Sequence, residues 1–121
     1  MLNNINEIST EKYDKFDSIL SVVEFIRNNY NKNHSIQYYA GLCNLDRYYF
    51  IKLFKECTGE SPHLFKTKIR IEKAKELLCN TNMNNTQIAE IIGYSSSYYF
   101  SRIFKAYTGE APEMYRKNHK I

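Results

Sequence analysis

The sequence predicts an all-α fold: about seven helices, forming two similar helical units joined by a longer connector helix. Three observations point there. Apolar residues recur at three- and four-residue intervals, and no stretch alternates convincingly as a strand would. The stretch YYFIKLFKECTGESP at 48–62 returns as YYFSRIFKAYTGEAP at 98–112, identical at nine of fifteen positions without a gap. Repetition of that kind marks one structural unit used twice. Each copy also closes on Thr-Gly-Glu and then a proline, the residue order of a helix end followed by a helix start.

Taken in order, residues 1–13 read as a polar lead-in without periodicity. From Asp14 to Tyr30, Phe16, Ile19, Leu20, Val22, Val23, Ile26 and Tyr30 have the spacing of an amphipathic helix, and NKNHS at 31–35 breaks it. Ser35 is placed to cap IQYYAGLC, and Asp46 to cap RYYFIKLFKECT, which Gly59 stops. Pro62, after Ser61, opens the connector to Cys79. NTNMNN at 80–85 is the second break; Thr86 is the expected cap of QIAEIIG, which ends at Gly93. Ser95 or Ser96 starts SSYYFSRIFKAYT, Gly109 stops it, and Pro112 opens a last short helix. The predicted divisions are a lead-in or linker over 1–13, a first subdomain over 14–61, the connector over 62–79 and a second subdomain over 80–121.

The totals exclude several classes. A length of 121 residues suits one domain, or two very small ones sharing a core. No apolar run approaches the ~18–20 residues that span a bilayer, and MLNNINEISTEKY lacks the basic start and apolar core of a secretory signal. The expected location is the cytoplasm, with no membrane partner. Cys43, Cys57 and Cys79 are odd in number and widely spaced, and His34, His63 and His119 are scattered, so neither a disulfide framework nor a metal site is expected. No nucleophile, base and orienting group can be assembled, and Gly-rich phosphate loops and paired catalytic carboxylates are missing from the pattern. The expectation is no enzyme, no catalytic residue and no cofactor. The net charge of +4 is uneven: residues 1–33 carry four basic and five acidic side chains, and residues 34–121 carry thirteen and eight. The repeat lies in the basic part.

Each repeat is a short helix, a tight turn and a second helix. In such a helix-turn-helix, the second helix can lie in the DNA major groove. At 100° per residue, Phe50, Leu53, Phe54 and Cys57 share one face of the first copy's second helix. Opposite stand Tyr48, Lys52 and Lys55, with Ile51 beside them. The second copy buries Phe100, Ile103, Phe104 and Tyr107 in the same way and turns Tyr98, Arg102 and Lys105 outward, with Ser101 alongside. A charged stripe opposite an apolar one is what any surface helix shows. Two copies with matching outward tyrosine and basic positions say more, and so does where they diverge: the aromatic frame repeats while Ile51 becomes Ser101 and Lys52 becomes Arg102. The chemistry suits duplex DNA. Lysine or arginine donates to guanine O6 and N7, and an apolar side chain such as Ile51 suits a thymine methyl. Lys55 and Lys105 are better placed for phosphate, and Arg47 for either role. A fully helical connector of eighteen residues is about 27 Å long, near the ~34 Å between successive major-groove faces. One chain would then read an asymmetric site.

On these residues the chain, from about 14 to 117, resembles the DNA-binding domain of the AraC/XylS family of bacterial transcription regulators. The resemblance is carried by Tyr39-Ala40, Phe50, Phe54, Lys55, Thr58-Gly59 and Pro62, by RIEKAKELL at 70–78, and by TQIAEIIGYSSSYYFSRIFKAYTGEAPEMYRK at 86–117. It implies two helix-turn-helix units with recognition helices in successive major grooves. It places base reading on Arg47, Tyr48, Ile51 and Lys52, and on Ser96, Ser97, Tyr98, Ser101 and Arg102. Backbone contacts are implied at helix starts near Ser35 and Thr86, whose amides suit phosphate. The second unit is one residue longer: fourteen residues separate Ala40 from Phe54, and fifteen separate Ala89 from Phe104. Cys43 stands where the family usually has a larger aliphatic residue, which reads as a packing substitution. Contact with RNA polymerase is implied too, without a residue to assign it. Many members carry an N-terminal sensor domain, which thirteen leading residues cannot form. The alternative reading is a protein-interaction module that keeps the fold without reading DNA.

Overall fold

The computed structural model describes the backbone of residues 2–120 and the side chains of residues 14–120. Among the described residues there are seven helices and no strand: α1 Leu2–Asn28, α2 Ile36–Leu42, α3 Arg47–Thr58, α4 Pro62–Asn80, α5 Asn85–Ile92, α6 Ser97–Thr108 and α7 Pro112–His119. They divide into two compact units. The first holds the residues up to Asn29 and His34–Phe65; the second holds Tyr30–Asn33 and the residues from Lys66 onward.

In the first unit α1, α2 and α3 pack on one another in every pairing. Ile19, Val22, Val23 and Ile26 come from α1, Tyr39 and Ala40 from α2, and Phe50, Leu53 and Phe54 from α3, all buried. The Phe54 ring meets Phe50 at 5.7 Å and Phe65 edge-on at 5.5 Å. Local chemistry sets the helix ends. Ser35 Oγ accepts from Tyr38 N at 3.1 Å and Asp46 Oδ1 from Tyr49 N at 3.0 Å, each satisfying an amide that helix geometry leaves open. Gly59 closes α3 in the left-handed region at φ 83°. The Thr58 hydroxyl donates to Phe54 O at 2.8 Å and accepts from Glu60 N at 3.2 Å, tying the turn that leads to Pro62.

The second unit repeats the plan with α4 in the place of α1. Ile71, Ala74 and Leu78 of α4 bury against Ile88, Ala89 and Ile92 of α5 and Phe100 and Phe104 of α6. Phe100 and Phe104 again lie 5.7 Å apart, and Tyr115 takes the role of Phe65, edge-on to Phe104 at 5.3 Å. Thr108 forms the same knot as Thr58, with Phe104 O at 2.8 Å and Glu110 N at 3.2 Å. Arg116 of α7 donates to the carbonyls of Leu78, Thr81 and Met83, which holds the end of α4 and the break after it.

Four expectations need correction. The first helix begins at Leu2, not near Asp14. Residues 2–13 contain neither proline nor glycine, so a helix nucleated by the packed part of α1 has no stop signal to halt its extension. Thr86 does not cap α5. Asn84 does, its Oδ1 accepting from Gln87 N at 2.8 Å while Gln87 Oε1 accepts from Asn84 N at 3.0 Å. That reciprocal box satisfies two amides, which a cap at Thr86 would not. Tyr107 is 44% exposed, because α6 runs past the end of its aromatic core and the phenol stays wet there. Its counterpart Cys57 is half-buried. Leu20, on the apolar stripe of α1, is 52% exposed.

A group of contacts in the second unit has no counterpart in the sequence reading. Arg70 is only 5% exposed. Its guanidinium donates to Tyr30 O at 2.7 Å, Lys32 O at 3.2 Å and Asn33 Oδ1 at 2.9 Å, and lies 4.9 Å from the Tyr94 ring centroid. Asn33 Nδ2 donates in turn to Gly93 O at 3.0 Å. Beside this clasp Lys66 donates to Lys32 O at 3.0 Å. Burial, helped by the charge on Arg70, lowers the Lys66 ammonium to about 8. The unfolded chain therefore holds more protons than the folded one between about pH 8 and the ordinary lysine value of 10.5, and stability gains with pH across that window. The half-buried thiols of Cys43 and Cys57, and Tyr94, act with the opposite sign above their own ordinary values, so the check is a difference. Melting temperatures of the native chain and Lys66→Met, followed from pH 7 to 10, should diverge above about pH 8 with the native chain gaining; parallel curves would rule the effect out.

Candidate nucleic-acid interface

In each unit the buried phenylalanine pair fixes which face of the second helix looks outward. Phe50 and Phe54 are fully buried on α3, and Phe100 and Phe104 on α6. The opposite faces carry Tyr48 at 82% exposure and Tyr98 at 71%, with Lys52, Lys55, Arg102 and Lys105 all exposed. Tyrosines do not sit so far in water for the sake of a core, and these two occupy the same place in both copies. Arg47 is exposed at the first position of α3. Ile51, Ser97 and Ser101 are half-buried at the flanks of their helices.

The structure separates the serines by role. Ser96 caps α6, its Oγ accepting from Tyr99 N at 3.0 Å, which leaves the hydroxyl proton to donate outward. Ser35 is in the same position at the start of α2. Thr86 is exposed in the first turn of α5, one residue beyond Asn85. On α6 the Arg102 guanidinium lies over the Tyr98 ring, 5.8 Å from its centroid, so two of the expected site residues are within cation–π range.

The two turns are alike up to one inserted residue. Leu45 N donates to Ala40 O at 3.0 Å, and Tyr94 N to Ala89 O at 2.8 Å. The residue before each donor, Asn44 or Gly93, has a positive φ, 54° or 102°. From Leu45 the chain passes straight to the cap Asp46, whereas from Tyr94 it passes through Ser95 to the cap Ser96. Ser95 is thus the extra residue of the second unit. Burial pushes the Cys43 and Cys57 thiols up, away from reactive thiolates, and Glu56 adds to the effect at Cys57. Among the described residues no three His, Cys, Asp or Glu side chains come together to hold a metal, and no helix is long and apolar enough to cross a membrane.

Sequence reasoning missed Asn84 and Arg70. Both had a legible signal. Gln87 stands three residues after Asn84, the spacing of a capping box, and Arg70 precedes Ala74 and Leu78 at four-residue steps on the buried face of α4.

Comparison with known proteins agrees with this geometry. Residues 39–118 match the model of a family described as a helix-turn-helix domain, of the AraC type. The raffinose operon transcriptional regulatory protein RafR of Pediococcus pentosaceus is 36% identical over 78% of this chain and 32% of its own length. The lactose operon transcription activator of Staphylococcus xylosus is 32% identical over 76% of this chain and 40% of its own length. The chain thus spans a third to two fifths of these relatives. The C-terminal domain of AraT, a response regulator from Geobacillus stearothermophilus, superposes with a TM-score of 0.81 at 32% identity, covering 85% of this chain and 86% of that one. The DNA-binding domain of AdpA, a global transcriptional factor seen with a target DNA, shares the fold with a TM-score of 0.79 at 21% identity, over 84% of this chain and 91% of that one. Family and fold are those of DNA-binding transcription regulators and not of enzymes. The chain belongs to the AraC-type helix-turn-helix family, as a sequence-specific DNA-binding domain of a transcription regulator.

Proposed function

We propose that one copy of this chain reads an asymmetric duplex site, with α3 and α6 as recognition helices in successive major grooves. One observation carries the reading: α3 and α6 expose the same order of tyrosine, basic residue and lysine, each opposite a buried phenylalanine pair. Base contacts fall to Arg47, Tyr48, Ile51 and Lys52, and to Ser96, Ser97, Tyr98, Ser101 and Arg102. Phosphate contacts fall to Lys55 and Lys105, and to the helix starts near Ser35 and Thr86. The proposed functional division keeps a reading subdomain over 14–61, a connector over 62–79, whose residues from Lys66 pack within the second unit, and a second reading subdomain over 80–121, with residues 2–13 belonging to α1. The regulator acts in a bacterial cytoplasm, as an activator that touches RNA polymerase. A sensor domain belongs to the intact regulator. These last assignments rest on the family, and activation on the printed role of the S. xylosus relative.

The test is selection of binding sites from a random duplex library. Two unlike sequence blocks centred about 10 base pairs apart are expected. Lys52→Ala and Arg102→Ala should each cost about 1–3 kcal/mol on the selected duplex and relax preference at one base pair. An equal loss on every duplex would make those side chains phosphate contacts. No enrichment and no salt-dependent duplex binding would favour a protein-interaction module instead.

A further inference from the structure

We infer that Tyr98 is a positioning residue for Arg102, restricting where its guanidinium can go so that the second unit recognises one guanine more strictly than the first unit recognises its own base. The inference rests on the reading of α6 as a recognition helix and deepens it. Tyr98 and Arg102 are four residues apart on one face of α6, so their side chains meet over one turn. The guanidinium centre lies 5.8 Å from the ring centroid. Both side chains are exposed, Tyr98 at 71%, and among the described residues Arg102 has no carboxylate partner. The ring is therefore the partner that orients it.

The geometry has a chemical consequence. A guanidinium carries its five N–H donors in its own plane. Attraction between the ring and the guanidinium charge uses none of them. The fork stays free to donate to guanine O6 and N7 together, and only that base offers both acceptors at that edge. An unheld arginine has ~2 kcal/mol of rotamer freedom to lose on making the contact; a ring that restricts it in the free protein lowers that cost. In the first unit the counterpart is Lys52, whose ammonium has no planar fork to orient and donates as a point charge. Tyr49 next to Tyr48 is engaged elsewhere, with Lys15 Nζ 5.0 Å from its ring centroid.

The experiment measures dissociation constants on the duplex selected with the native chain and on the same duplex with the Arg102-dependent G·C pair changed to A·T. The ratio of the two is the readout. Arg102→Ala should abolish most of the ratio. Tyr98→Ala should narrow it about twofold to fivefold, the worth of an exposed cation–π contact. Tyr98→Phe keeps the ring and should keep the ratio. In an Arg102→Ala background, Tyr98→Ala should narrow it no further. Tyr98 and Arg102 lie outside the core, so loss of folding does not confuse these outcomes. A ratio lost equally in Tyr98→Phe, or narrowed by Tyr98→Ala without Arg102, would overturn the inference and show Tyr98 reading that base pair itself. A ratio unmoved by Arg102→Ala would overturn the reading of α6 itself, and the inference with it.

Discussion

Gly93→Ala should be among the most damaging single substitutions in the chain, lowering stability by about 3–5 kcal/mol, the scale of breaking a buried charge's contacts. Two effects add. Gly93 has φ 102°, which an L side chain adopts only under strain of about 1–2 kcal/mol. A Cβ there would also lie 2.6 Å from Arg70 Nη2 and 2.6 Å from the carbonyl oxygen of Asn31. Arg70 cannot retreat without giving up Tyr30 O, Lys32 O and Asn33 Oδ1, and its charge is buried. Gly109 supplies the control. Its φ is 84°, but a Cβ there meets nothing within 4 Å, so Gly109→Ala should cost only the backbone strain, about 1–2 kcal/mol. Urea unfolding midpoints of the two variants, measured side by side, decide the matter. Equal shifts would mean that the space around Gly93 does not count.

Phe104→Ala should cost about 3–5 kcal/mol, the usual range for removing a buried phenylalanine. Phe104 is fully buried, with Phe100 at 5.7 Å and Tyr115 at 5.3 Å. Its ring joins α6 to α7. Phe54 is its counterpart, with Phe50 at 5.7 Å and Phe65 at 5.5 Å, so Phe54→Ala should fall in the same range. Tyr98→Ala, on the same helix as Phe104, should leave thermal stability nearly unchanged because its side chain is 71% exposed. Thermal melts of the three variants check the contrast. A small effect at Phe104, or a large one at Tyr98, would show that the division of α6 into a packing face and an outward face is wrong.

That division was legible in the sequence because it is written twice. A single amphipathic helix shows only that one side is wet. Two copies sharing Phe50/Phe100, Phe54/Phe104 and Lys55/Lys105, but differing at Ile51/Ser101 and Lys52/Arg102, separate scaffold from variable surface. Caps were legible wherever one candidate stood alone, as at Ser35 and Asp46. They were ambiguous in NTNMNNTQ, where several side chains can cap and only the reciprocal bond with Gln87 favours Asn84. The start of α1 was hidden for another reason. Helix propagation needs no apolar pattern once nucleated, so a polar stretch without proline or glycine carries no mark of its own end. Arg70 keeps the four-residue spacing of the buried face, but a charge inside a connector helix also reads as solvated, and its acceptors are backbone carbonyls nearly forty residues earlier in the chain. Tyr107 follows the wheel but not the length of the core, which a wheel does not contain.

The outward placement of Tyr48, Lys52, Tyr98 and Arg102 bears on how such a chain can change its preferences over time. Most random substitutions fail because they erode a small margin of stability. These four side chains contribute little to either core, so exchanging them hardly touches that margin. If they read bases as proposed, new sequence preferences are open to single steps, in one unit at a time, while the other unit keeps the molecule on its existing site. On that reading, duplication of the fold leaves one copy free to drift while the other preserves function.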